Sequence, residues 1–327
     1  MFTPPIAYGV IGGDFFMPKW LTRKKLILIM ITFFLFLVIG YAAYLFFNFQ
    51  STMKAIHSPI TIEETSTTRP IIQEKEDPIS KEPTPITLLL LGVDQFEDAA
   101  GRADTILVLT VNPQTETMKM LSIPRDTYTE IIGLDFSDKI NHSYAFGGVT
   151  MAHQTVENLL QIPIDYVVSI NMEGFIELVD LLGGVEVENE VAFSTDYNDY
   201  PKGEITISGD AALDYVRMRY EDPLGDFGRQ IRQRLVIESL LNRLSSLNIV
   251  WQVPSVLETI RDHVETNVTF DDITYFLKSY KPALNNIEQI SFEEGEGRLE
   301  DGIWYYFASE DELQQIRDEL KAALATK

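Results

Sequence analysis

The sequence predicts an α/β fold, a three-layer α-β-α ectodomain around a mixed central sheet, carried on one N-terminal transmembrane helix. Three observations predict it. A continuous apolar run at residues 87–94 (TLLLLGVD) has the composition of a strand covered on both faces. Two β-rich runs, residues 105–113 and 116–124, flank the turn-prone Pro113-Gln114-Thr115 and read as a hairpin. Helical and strand patterns then alternate, which argues for helices on both faces of one sheet.

Taken in order, residues 26–47 (LILIMITFFLFLVIGYAAYLFF) contain no charge. At ~1.5 Å per residue such a helix spans a hydrocarbon core of about 30 Å. The run is too long for a signal-peptide core, and no small-residue cleavage site follows it. Lys19, Arg23, Lys24 and Lys25 crowd its N-terminal flank, so residues 1–25 are expected in the cytoplasm and everything after the helix outside the cell membrane. Residues 48–85 are polar and interrupted by Pro59, Pro70, Pro78, Pro83 and Pro85, the composition of an extended extracellular stalk. The folded domain is expected over residues 86–327. Within it, helices are predicted at 150–160, 173–182, 209–217, 229–247, 253–264, 271–281 and 310–324. Strands are predicted at 165–171 and 185–188, with Gly183-Gly184 as a helix stop.

The chain of 327 residues has 49 acidic and 26 basic side chains, a net charge of −23, and no cysteine. Residues 1–25 carry +3, so the remainder carries −26. Such a balance argues against nucleic acid as a partner, because duplex binding relies on Lys and Arg neutralising phosphates. The lack of cysteine excludes disulfide scaffolds, zinc ribbons and thiol catalysis. Nucleophile-elbow, zincin, P-loop and dinucleotide motifs are absent, and His57, His142, His153 and His263 show no metal-ligand spacing.

The scarce arginines carry the signal. Arg217, Arg219, Arg229, Arg232 and Arg234 fall within eighteen positions, interleaved with Asp222 and Asp226. Arg102 and Arg125 lie just beyond the ends of strand candidates, where open α/β sheets place ligands. Guanidinium groups suit phosphate oxygens, so these arginines point to an anion pocket within an acidic domain. The alternative is ion pairing with abundant acids, with Arg232 and Arg234 on the wet face of a helix. Asp94 and Asp104, at the ends of adjacent strand candidates, could share a divalent cation with substrate phosphates.

Together, LLLLGVD, GRADT, LTVNP, LSIPRDTY, DKINHSYAFGG, the segment TVENLLQIPIDYVVSINMEGFIELVDLLGGVEVE and RMRYEDPLGDFGRQIRQ resemble, in order, the LytR-CpsA-Psr family of Gram-positive cell-envelope enzymes. The resemblance covers residues 87–247 and accounts for the anchor. It implies a phosphotransferase that moves a glycopolymer, teichoic acid-like or a capsular polysaccharide, from a polyprenyl pyrophosphate carrier to peptidoglycan through a phosphodiester. By the same resemblance Asp94 and Asp104 hold Mg²⁺, with Mn²⁺ as a substitute. Arg102, Arg125, Arg217 and Arg219 bind pyrophosphate, and Asp226, Arg229, Arg232 and Gln233 complete the last motif. Ala103 replaces the usual Ser, and Phe96 stands where Arg is frequent.

Arg125 is expected to stabilise developing charge, and Asp222 and Asp226 are both candidates for the general base. The helix at 173–182 is a candidate wall of an apolar groove for the polyprenyl tail. Two alternatives use the same residues: a hydrolase with water as acceptor, and a non-catalytic lipid-binding envelope regulator.

Overall fold

The computed structural model describes residues 82–96, 99–219, 222–244 and 262–325, together with helical positions between 32 and 47. The chain divides into two units, residues 1–48 and 49–327. In the first, Phe34, Phe36, Leu37, Ile39 and Tyr41 are helical with exposed apolar side chains. The remainder of the predicted membrane helix, residues 1–25 and the stalk up to residue 81 lie outside the described residues. Among the described residues no helix is long and apolar enough to cross a membrane.

In the second unit the described elements are, in chain order, β1 (Ile86–Phe96), β2 (Ala99–Asn112), β3 (Thr117–Ser122), β4 (Tyr128–Glu130), β5 (Ser137–Lys139), α1 (His142–Leu160), β6 (Tyr166–Asn171), α2 (Met172–Leu181), β7 (Val185–Asn189), β8 (Phe193–Ser194), β9 (Asp199–Tyr200), β10 (Gly203–Ile207), α3 (Gly209–Arg217), α4 (Asp226–Leu244), β11 (Val264–Thr266), α5 (Phe270–Ser279), β12 (Ile287–Ile290), β13 (Glu296–Glu300), β14 (Ile303–Phe307) and α6 (Glu310–Leu324). Six strands form a sheet of order β11-β6-β1-β2-β3-β12. β2 runs antiparallel to β1 and β3, β6 runs parallel to β1, and β12 runs parallel to β3. The sheet is therefore mixed, as the sequence predicts.

Strand alternation divides the core. Leu89, Leu91, Val93, Ile106 and Val108 pack with Val149, Ala152 and Val156 of α1 and with Leu313, Ile316 and Leu320 of α6. Ile86, Leu88 and Leu90 of β1, with Leu107, Leu109, Met118 and Met120, face the other way, toward Ile237 and Leu241 of α4 and Phe276 of α5. Full burial of each such side chain is worth ~1.5–3 kcal/mol, so both faces of β1 are anchored and its unbroken apolar run is explained. A further cluster joins α2, α3, β7 and β10 to Val236 and Leu240 of α4.

Several sequence expectations shift. β1 and β2 extend through residues 95–96 and 99–103, which the sequence reads as a loop; Asp94 and Asp104 thus lie inside a long hairpin, not at strand ends. α1 starts at His142, eight residues ahead of the expected 150, the kink at Gly147 and Gly148 interrupting its periodicity. α4 starts at Asp226, ahead of the expected 229. Most of the helix expected at 253–264 lies outside the described residues, and Val264 belongs to edge strand β11, which is antiparallel to β6. Gly183 and Gly184 do end α2, both at positive φ.

Candidate active site

The hairpin register sets the first carboxylates. Gly92 pairs with Thr105 and Val93 with Ala103, so Asp104 is the extra residue of a β-bulge, a device that re-aims one side chain out of the ladder. One step on, Asp94 pairs with Arg102. Gly101 approaches Asp94 so closely that a Cβ there would stand 2.8 Å from its carbonyl oxygen. Neither Asp94 nor the exposed Arg102 has a side-chain hydrogen-bond or ion-pair partner among the described residues.

Arg125 follows β3 in a turn. Its Nη1 donates to Asp104 Oδ2 at 2.7 Å, while Asn141 Nδ2 donates to Asp104 Oδ1 at 3.1 Å. The turn is held from below, because the Asn141 amide donates to the Arg125 carbonyl at 3.2 Å. Lys139 Nζ pairs with Asp126 at 2.6 Å and so fixes the residue next to Arg125. From the other side, the first turn of α4 supplies Asp226 and Arg229, whose Oδ1 and Nη2 stand 2.9 Å apart.

Burial pulls the Arg229 guanidinium below its ordinary pKa. Asp226 opposes that shift, the charge of Arg125 adds to it, Asp104 opposes it, and Arg219 adds to it. Arg229 thus senses Asp104, Arg125, Arg219 and Asp226 together, and as a guanidinium it stays charged. Two of its group's donors are unused: Arg125 Nε and Arg229 Nε are buried and make no hydrogen bond. Buried donors without hydrogen-bond acceptors are costly; Arg125 Nε has only an ion-pair contact with Asp126 Oδ2, at 3.8 Å.

Arg232 behaves differently. Nε donates to the Tyr215 carbonyl at 3.1 Å, Nη2 to the Met218 carbonyl at 2.6 Å, and Nη1 to Asp222 in a short ion pair. Its guanidinium also lies over the Phe193 and Tyr215 rings. Its side chain is 6% exposed and that of Asp222 3%, against 21% for Arg125. Gly228 permits this pair, because a Cβ there would lie 1.9 Å from Asp222 Oδ2. Arg234 is also buried, bonded to Ser122 and Gln289, and Gln233 is buried beside them. The reading of Arg232 and Arg234 as a wet helix face is therefore overturned, since α4 is sandwiched between the sheet and the α2–α3 cluster.

Arg217, exposed in the last turn of α3, lies 3.5 Å from Met172 Sδ. Met172 follows Asn171, which pairs with Val93 next to Asp94, so Arg217 stands at the carboxyl ends of parallel strands β1 and β6. Ligands of open α/β sheets bind there. Asn141, Lys139 and Asp126 escaped sequence reasoning. All three lie in the quoted motifs SIPRDTY and DKINHSYAFGG, and the motifs themselves were the available signal.

Comparison with known proteins decides the lineage. The LytR_cpsA_psr family model matches residues 43–322. The chain belongs to the LytR-CpsA-Psr family. A polyisoprenyl-teichoic acid–peptidoglycan teichoic acid transferase, TagU of Bacillus subtilis (strain 168), is 45% identical over 305 residues, covering 92% of this chain and 97% of that protein. The crystal structure of B. subtilis TagU superposes with a TM-score of 0.63 at 45% identity, covering 75% of this chain and 99% of that one. A structure of TagT bound to LIIa-WTA superposes with a TM-score of 0.63 at 31% identity, covering 74% and 92%.

Against the family pattern, Ala103 has a physical reason: it is 1% exposed in the sheet core beside Val93, where a small apolar side chain fits. Among the described residues no three His, Cys, Asp or Glu side chains gather as a ready metal cage. Asp94 and Asp104 nevertheless suit a hard cation. Each oxygen of Asp104 accepts one hydrogen bond and keeps a second lone pair, and Mg²⁺ takes one or two carboxylates plus substrate phosphates.

Proposed function

We propose that this chain is a membrane-anchored phosphotransferase that moves a teichoic acid-type glycopolymer from a polyprenyl diphosphate carrier onto peptidoglycan, forming a phosphodiester. The observation that carries the reading is the open guanidinium pair: Arg125 Nε and Arg229 Nε are buried and make no hydrogen bond, on two residues whose charges interact with each other and with Asp104. The 45% identical relative named as a teichoic acid transferase supports the substrate class, as does the TagT structure with LIIa-WTA.

Arg125 and Arg229 bind the diphosphate and, with Arg102, Arg217 and Arg219 around the same sheet end, stabilise charge that develops as the polyprenyl phosphate departs. Asp94 and Asp104 hold Mg²⁺, or Mn²⁺, which when bound neutralises diphosphate charge. Asp226 is the better placed of the two candidate bases. Its Oδ2 has only a 3.4 Å contact with the Gln230 amide, whereas Asp222 is locked against Arg232. Arg232, with Gln233 and Asp222, holds the α3–α4 junction from which Arg219 and Arg229 project.

The test is transfer itself. Full-length protein in detergent, supplied with Mg²⁺, a polyprenyl diphosphate glycopolymer and peptidoglycan, is expected to attach polymer phosphate to insoluble peptidoglycan. Release of free phosphorylated polymer without attachment would establish the hydrolase instead. Binding of the carrier with no turnover would establish the lipid-binding regulator.

A further inference from the structure

A cleft of about 290 Å³ is lined by Tyr128, Thr129, Asn158, Gln161, Phe307, Glu310 and Arg317, among others. We propose that it is a saccharide subsite that holds one N-acetylated hexosamine unit of the acceptor glycan strand. The proposal rests on the transfer reaction above, and adds where the acceptor is gripped.

Position is the first argument. Tyr128 is three residues beyond Arg125, at most ~11 Å of extended chain. β14 is tied to the same segment, because the Tyr306 amide donates to the Asp126 carbonyl at 2.9 Å and Thr127 bridges Tyr306. A glycan bound here lies along a strand that leads directly to the phosphate-binding turn.

Chemistry is the second. Tyr128 is 37% exposed, and its ring lies 5.0 Å from Phe307 and 5.2 Å from Tyr305, a braced aromatic wall. Rings of this kind offer an apolar face to the C–H face of a pyranose. Asn158, Gln161 and Thr129 supply paired donors and acceptors for hydroxyl and acetamido groups. An aromatic wall with a few convergent polar groups is the usual build of a small-ligand site, and the volume is near the lower end of the ~300–1,000 Å³ range. Gln161 holds a left-handed backbone conformation at the end of α1, φ 52°. It caps the helix there, its amide donating to the Glu157 carbonyl at 2.7 Å.

Charge commits the site to the acceptor. The one cation at the cleft, Arg317, is already neutralised by Glu310 at 3.0 Å and donates to the Leu159 carbonyl at 3.0 Å. No free positive charge is left for a polyanionic donor polymer, whereas an uncharged amino sugar needs none.

The experiment titrates an N-acetylglucosamine oligomer into full-length protein without donor, read by NMR or calorimetry. The variants are the exposed pair Asn158→Ala/Gln161→Ala, which leaves the core untouched, and Phe307→Ala. Millimolar or tighter binding by the wild type, weakened at least fivefold in both variants, is expected. The KM for peptidoglycan should rise by a similar factor while carrier affinity is unchanged. Absence of oligomer binding, or equal binding by all proteins, overturns the subsite. Transfer failing through Arg125→Ala or Arg229→Ala concerns the reaction alone, so the two failures are separable.

Discussion

Two arginine–aspartate pairs, Arg125 with Asp104 and Arg232 with Asp222, differ in almost everything but composition. Arg125 and Asp104 are partly exposed, share one 2.7 Å bond, and leave a buried Nε unused. Arg232 and Asp222 are almost wholly buried, and all three guanidinium nitrogens are engaged. The first pair has donors to offer a ligand; the second has none and ties α3 to α4. Proximity within one arginine-rich stretch therefore does not assign a common role. What separates binding from bracing is whether the protein has already satisfied the guanidinium.

The largest effect should come from breaking the closed pair. Arg232→Ala leaves the Asp222 carboxylate buried and uncompensated, which costs ~3–5 kcal/mol, and denaturant unfolding should show that loss with transfer declining only through unfolding. Next is the open pair. Arg125→Ala should lower the transfer rate ~10²–10³-fold, the scale of removing one donor from a charge-stabilising site, while the unfolding midpoint barely moves. If Arg125→Ala unfolds the protein and Arg232→Ala does not, the assignment of the two pairs is reversed.

A smaller effect is expected at Gly228. Its Ala variant drives a Cβ into Asp222 and should destabilise by ~1–3 kcal/mol, as overpacking does, without removing any group from the proposed phosphate site. The smallest concerns Asp138. Burial opposes its charge, but the His142 ring at 2.8 Å and the Lys139 amide outweigh that and hold the carboxyl below its ordinary 3.8. A carboxyl depressed on folding stabilises the fold above its unfolded pKa and loses that contribution as pH falls through the folded value. His142→Gln should therefore flatten the acid limb of the stability–pH curve, by about 1 kcal/mol or less for a pair that keeps part of its surface in solvent.

How much of this was legible in the sequence follows the same division. The three-layer order was readable because β1 is apolar on both faces and β2 and β3 flank an evident turn. The bulge at Asp104 was not, since a register skip depends on the partner strand and leaves no local pattern. α1 was read eight residues short because Gly147 and Gly148 break its period. Of the candidate site, Arg125 bonds Asp104 and Arg229 pairs with Asp226. The burial of Arg232 was invisible, because its partners Tyr215, Met218 and Asp222 are set by how α3 packs on α4. Lys139 ends the short β4–β5 hairpin and Asn141 follows it, and three-residue strands of this kind carry no periodicity in the sequence.

The central claim is that the open pair binds the diphosphate and the closed pair does not. It is tested most directly by the affinity of full-length protein in detergent for a polyprenyl diphosphate, compared between wild type and Arg125→Ala with folding verified for both. The account predicts at least a tenfold loss in the variant, about 1.4 kcal/mol. Equal affinity would contradict it.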